Sequence, residues 1–249
     1  MKLRGKVNLA LSGAFLVGLI LAGAGAYKVL TDEAVESSAR DARIMMEQAS
    51  AIRTYTAEAI KPLLEQQMKV QFLPHSIPSF AAQTNFRLVQ KKLPEYSYRE
   101  PTLNPTNVND RAVDWEAVII NAFREHPDKT ETLEMRDTPA GKFLTLARPL
   151  KVGSAACLTC HSTPDAAPPT MVALYGSQNG FGWKQGETIG AQVVSSRWPC
   201  RCSGPTARWA ALMVALGGVF LIILLIVDTL LRALVVQASR RHLGDGERC

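Results

Sequence analysis

Little in this sequence points to catalysis. It has no nucleophile beside a base, no phosphate-cradling loop and no carboxylate pair in a supporting context, so an enzyme is not expected. Internal repeats and low-complexity stretches are also absent, which excludes stacked-repeat architectures and disordered tracts. The charge balance is modest, 28 Lys and Arg against 22 Asp and Glu for a net +6, and it does not form the basic face that nucleic acid requires. No nucleic-acid partner is expected. Cysteine is sparse, five in 249 residues.

Charge is missing altogether from two long runs. Val7 to Tyr27 carries none, and Trp209 to Val227 is apolar throughout. Each is long enough to cross about 30 Å of hydrocarbon at about 1.5 Å per residue. A cleaved signal peptide competes for the first run, because Ala22-Gly23-Ala24-Gly25-Ala26 offers small residues; an uncleaved anchor suits its length better. Basic residues stand just outside both runs: Lys2, Arg4 and Lys6 at one end, Arg232, Arg240, Arg241 and Arg248 at the other. By the positive-inside rule both termini are expected in the cytoplasm, with the middle of the chain across a bacterial inner membrane in the periplasm. The expected organisation is a stub and span over 1–30, a soluble domain over 31–200, a second span over 207–232 and a tail over 233–249. Asp228 is expected to pair with Arg232 one turn on.

Two of the five cysteines form Cys157-Leu158-Thr159-Cys160-His161. This is the C-x-x-C-H spacing by which two thiols add to the two vinyl groups of one porphyrin, leaving the next histidine as the axial ligand of its iron. A redox-active C-x-x-C would open a longer helix, and the prolines at 164, 168 and 169 shorten any helix here. Zinc would need a second ligand pair, for which Cys200 and Cys202 are too close together, and a disulfide across two residues is strained. One covalent haem c held by Cys157, Cys160 and His161 is the expectation. Cys200, Cys202 and Cys249 are read as incidental.

Between the spans, a long helix is expected from Asp32 to about Val70, capped by Thr31 or Asp32. Its stripe is Ala42, Met45, Ala49, Ile52, Thr56, Ile60 and Leu63, and Pro62 kinks or divides it. Further helices are expected over Pro78–Lys92 and Ala112–Arg124, the latter with Trp115, Val118, Ile119 and Phe123 inward and His126 at its end. Alternation over 132–136 and 142–150 around a turn predicts a hairpin, and 188–195 a final strand. The fold class is therefore α+β: an antiparallel, PAS-like sheet with a long N-terminal helix and side helices, flanked by two transmembrane helices.

The order of several segments carries a family resemblance. They are Ala42-Arg43-Ile44-Met45-Met46, Arg53-Thr54-Tyr55-Thr56, Phe72-Leu73-Pro74, Ile77-Pro78-Ser79-Phe80, Tyr96-Ser97-Tyr98-Arg99-Glu100, Thr102-Leu103-Asn104-Pro105-Thr106-Asn107, the haem motif, and Gly180-Phe181-Gly182-Trp183. Together they resemble the periplasmic c-haem, PAS-like sensor domains that precede bacterial histidine kinases and methyl-accepting proteins. The resemblance implies a second iron ligand from the long helix, a cysteine in some members. The helix has no cysteine here, so Met45 or Met46 becomes the candidate, with His75 or no ligand as alternatives.

Two roles follow. A sensor would detect redox state or a small gas; a membrane-tethered cytochrome would carry electrons. Membrane lipid and haem are the implied partners, with a possible homodimer through the N-terminal helix and a possible cytoplasmic signalling partner. The resemblance ends after Val194, and one reading of the segment after it is a shifted coding frame near residue 196 and again near 237.

Overall fold

Four extended segments pair into one antiparallel sheet in the computed structural model, which describes residues 3–198 and 205–244. Cys200, Cys202 and Cys249 lie outside the described residues. Strands β2 (Thr132–Thr138) and β3 (Gly141–Lys151) form the expected hairpin, with Leu133 opposite Leu146. Gly141 closes the turn at φ 113°, a conformation that costs a side-chain-bearing residue about 1–2 kcal/mol. Strand β4 (Thr188–Arg197) lies between β3 and β1 (Tyr96–Arg99), giving the order β1-β4-β3-β2. It runs two residues past the expected end, where Ser196 pairs with Tyr96 and Leu144 and Arg197 with Phe143. The four-residue β1 is too short for sequence periodicity to reveal.

Strand alternation places neighbours on opposite faces. Leu146 and Val194 join Ala42, Met46, Ala49, Ala82, Phe86 and Tyr98 in one core. Ala147 and Val193, one residue along, join Ile119, Ile120, Phe123 and Ala191 in the other. Helices α1 (Leu3–Tyr55) and α3 (Pro78–Gln90) thus cover one face, and α4 (Asp114–Glu125) covers the other. Each fully buried aliphatic side chain contributes about 2 kcal/mol.

Two local expectations are corrected. Thr31 and Asp32 do not start a helix: α1 passes through them, and the Thr31 hydroxyl donates to the Tyr27 carbonyl one turn back, as it would inside a helix. On α4, Val118 faces solvent, 68% exposed, while Glu116 is buried. Glu116 reaches back to accept from the Val113 amide at 3.0 Å and pairs with Arg99 at 3.5 Å; a carboxylate with two such partners can displace an apolar residue from an inner face. Pro62, expected to kink or divide the helix, acts through the turn before it. Its ring would collide with the carbonyl four residues back and it offers no N–H. The chain answers with a wider π-helical turn over Thr56–Ile60, after which α2 (Lys61–Val70) resumes with Pro62 in its first turn.

By contact the chain divides into two units, residues 36–198 and a second made of 1–35 and 199–249. The second contains the apolar part of α1 and α7 (Pro205–Gly244). Both helices are long and apolar enough to cross a membrane. They pair through stacked Phe15 and Phe220, 3.6 Å between centroids, and through the Trp209 indole donating to the Gly23 carbonyl at 2.7 Å. Asp228 accepts from Asn8 at 3.2 Å and from Arg232 at 3.0 Å, the latter being the pair read from the sequence.

Candidate functional site

Beyond β3 the chain turns through Val152–Ser154 into α5 (Ala155–His161), a single seven-residue helix. In a helix, residues three apart lie on nearly one face and the next residue is about 100° round. Cys157 and Cys160 therefore share a side, with His161 beside them. Cys160 packs against the cluster of Phe72, Ala167 and Met171; burial pushes its thiol pKa up, opposed by Lys61 and reinforced by Cys157. The region read as a proline-rich loop holds a further short helix, α6 (Pro169–Tyr175), which supplies Met171 and Tyr175.

The imidazole is held by one backbone carbonyl and one aromatic ring from the same loop. His161 Nδ1–H donates to the Gly180 carbonyl at 2.7 Å, and its ring stacks on Trp183 with centroids 3.8 Å apart and planes 14° from parallel. The loop that carries both contacts is tied down on all sides. Asn104 accepts from the Gly180 amide (3.1 Å) and donates to the Phe181 carbonyl (3.2 Å), while the Gly182 and Trp183 amides donate to the carbonyls of Ser162 and His161. Gly180 has φ 84°, and a Cβ there would stand 2.0 Å from the Thr106 hydroxyl oxygen, so no other residue fits. Burial lowers the His161 pKa; the Gly180 carbonyl opposes that and Lys61 adds to it. With Nδ1 committed as a donor, the neutral ring keeps its Nε2 lone pair for a metal.

His161, Cys157 and Cys160 border a cavity of about 400 Å³. Phe72, Ile77, Phe80 and Ile189 give it apolar walls, and one face of the long helix contributes Arg53, Ala57 and Lys61. A polar corner holds Glu100 and Asp110. The Glu100 side chain is fully buried. It accepts from Arg53 and from the Tyr98 hydroxyl (2.7 Å), which in turn accepts from Gln192 at 2.8 Å. Burial and the neighbouring Glu100 charge drive the Tyr98 pKa far above the ordinary tyrosine value, so Tyr98 stays a donor. Asp110 is also raised, chiefly by burial.

None of the three sequence-chosen sixth ligands borders this cavity. Met46 is fully buried against the sheet, and Met45 packs on the same core. The stripe was read on the right helix, but the cavity opens farther along it. Met46 and Ala57 are about 16 Å apart at 1.5 Å per residue. Arg53 hides this continuation, because a charged residue breaks an apolar stripe; it is tolerated here by its ion pair with Glu100. His75 is exposed in a turn over Pro74–Ser76, edge-on to Phe80 at 5.1 Å. Met68 accepts hydrogen bonds at sulfur from the Leu73 amide and the Ser76 hydroxyl (3.1 and 3.4 Å).

Chemically, the site offers two thiols on one helical turn and a neutral, oriented imidazole facing an apolar cavity. A bare ion fits poorly: among the described residues, no three or more His, Cys, Asp and Glu side chains gather around one point. A flat, largely apolar group with reactive vinyl edges and a metal at its centre matches both the donor set and the walls.

Comparison with known proteins agrees with this geometry. A family model described as Tll0287-like matches residues 31–197. Among solved structures, the crystal structure of the cyanobacterial heme-protein Tll0287 is similar at 16% identity and a TM-score of 0.52, covering 66% of this chain and 96% of that one. A search of curated proteins finds no match. The matched span takes in the long helix, the sheet, the C-x-x-C-H helix and the Gly180–Trp183 loop, and the chain belongs to the Tll0287-like family.

Proposed function

We propose that residues 31–200 form a membrane-anchored, periplasmic monohaem domain that senses redox state or a small gaseous ligand. Cys157 and Cys160 would hold one haem c through thioethers, and His161 Nε2 would be its axial ligand. The haem supplies a one-electron couple and an iron that binds diatomic ligands. The residues of this chain orient the imidazole through Gly180 and Trp183, exclude water with Phe72 and Ile77, and seat charge at the polar corner through Arg53 and Glu100. The observation that carries the reading is the His161 Nδ1–Gly180 bond beside two helix-borne thiols at a cavity. It fixes the tautomer that iron ligation requires.

The two apolar helices support a lipid-embedded anchor, with both termini cytoplasmic by their basic flanks. A second copy packed along the N-terminal helix and a cytoplasmic partner would complete a sensor. No catalytic role is proposed, and no nucleic acid is involved.

One observation favours electron transfer by a membrane-tethered cytochrome instead. Ala155, Ala156 and Thr159 on α5 are exposed, so the thioether edge would lie near the surface, open to a redox partner. Full-length protein matured with the cytochrome c assembly machinery decides both points. A reduced spectrum with covalent haem resistant to acid extraction is expected; colourless protein with both thiols alkylatable sinks the proposal. Rapid binding of carbon monoxide to the reduced form supports the sensor, and slow autoxidation without gas binding supports the carrier.

A further inference from the structure

From the π-helical turn and the cavity wall it lines, we infer that Lys61 is the second axial ligand of the iron, a displaceable amine opposite His161. The inference rests on the haem reading above. In an unbroken α-helix, Arg53 and Lys61 would point about 80° apart, eight residues at 3.6 per turn. The wider turn over Thr56–Ile60 takes out most of that difference, because a π-helical turn holds more residues per revolution. Arg53, Ala57 and Lys61 all line the cavity as a result. Ala57, between the two long side chains, leaves room for a planar group beneath them. The turn that accommodates Pro62 thus also brings Lys61 inward.

Elimination among the lining residues leads to the same place. Glu100 is committed to Arg53 and Tyr98, and Asp110 accepts a hydrogen bond from Gln83. Tyr175 packs edge-on to Phe72 at 5.8 Å, and Met171 is 2% exposed inside its cluster. Two amines line the cavity, Lys61 and Lys151. Lys151 donates to the Pro127 carbonyl at 2.9 Å, while the hydrogen bonds and ion pairs of the described residues leave Lys61 uncommitted. The Lys61 charge is felt by both Cys160 and His161, so it stands on the side of the cavity that carries the attachment helix. The haem propionates leave from the edge away from the thioethers, so a propionate counter-ion role is the poorer fit. Ligation forms one bond from the Nζ lone pair to iron and releases the ammonium proton to solvent; no electron changes hands. A flexible amine on a helix end is readily displaced by a diatomic ligand when the iron is reduced, which suits a sensor.

The test uses the full chain, haem-loaded, in detergent, with K61A and K61R. Wild type is expected to be six-coordinate and low-spin when oxidised, with the near-infrared magnetic circular dichroism of imidazole–amine ligation. Both variants should become high-spin, since guanidinium does not shed its proton to ligate. Carbon monoxide should bind reduced K61A about tenfold faster, because the internal competitor is gone. A low-spin spectrum retained in K61A, or in K61R, overturns the assignment, the second by showing that only charge is needed at position 61. If neither variant yields coloured protein, the wild-type near-infrared signature decides alone: a thioether, bis-imidazole or high-spin pattern overturns the assignment. Colourless wild type overturns the haem reading itself, a different failure from coloured protein with the wrong ligand.

Discussion

The two walls of the cavity are built by opposite means. On the Cys157–His161 side the imidazole is fixed by one loop, donating to the Gly180 carbonyl and stacking on Trp183. That loop is tied down by main-chain bonds from Gly182 and Trp183 to Ser162 and His161 and braced by Asn104. On the long-helix side the cavity is lined by three side chains at four-residue spacing, Arg53, Ala57 and Lys61. A backbone-held wall changes only if the chain path changes. A side-chain wall can be rewritten by single substitutions on an unaltered helix. The same fold can therefore keep its attachment motif while varying what the helix presents.

The largest effect should come from the corner where the two walls are locked together. Glu100 is buried and accepts from Arg53 and Tyr98, so Glu100→Leu strands a guanidinium and a phenol. A loss of about 4 kcal/mol is expected in urea unfolding of the full chain. Adding Arg53→Met should restore half or more of it, because the stranded charge goes with its partner. A double variant no better than the single would show that the pair does not act as a unit.

Next in size, Met46→Ala separates core filling from ligation. Met46 is fully buried against the sheet, and its truncation should cost about 3 kcal/mol while leaving the oxidised and reduced absorbance spectra of the haem-loaded protein unchanged. A spectral change with intact stability would contradict the placement of the cavity.

How much of this was legible beforehand depended on which physical signal each part carries. The C-x-x-C-H motif is local chemistry at fixed spacing, so Cys157, Cys160 and His161 could be named as a group. The hairpin was legible from alternation, and helices α3 and α4 from periodicity to within two residues at each end. The helix side of the site was not. Its stripe passes from Ala49 to Arg53, and a charged residue reads as surface until its buried partner Glu100, 47 positions away, is known. The π-helical turn was hidden for a related reason: proline announces a disturbance but not its form. Glu116 and Val118 exchange their expected faces because a long-range ion pair with Arg99 outweighs hydropathy.

On the backbone-held wall, Gly180→Ala should cost about 2 kcal/mol, from the positive φ and from a Cβ driven into Thr106. It should also loosen His161, seen as a changed low-spin signal in electron paramagnetic resonance. Gly153, with open space around a Cβ and no positive φ, is the matched control and should tolerate alanine within about 0.5 kcal/mol.

The smallest effect concerns Asp110, on the cavity's polar corner. Burial is the main cause that raises its pKa, with the Glu100 charge adding to it; Gln83, Arg99 and Arg87 pull the other way. The folded state therefore holds this proton more tightly than the unfolded chain does. Nothing is lost below the ordinary aspartate pKa of 3.8, and stability drains away as pH rises from there through the folded value. Asp110→Asn keeps an acceptor for Gln83 and removes the buried charge. The variant should melt above wild type at about pH 7, with the gap closing as the solution is acidified toward about pH 4. A gap of constant size, or one that widens in acid, would mean that the carboxylate is stabilised in the folded protein, and that the polar corner favours negative charge where burial argues it should resist it.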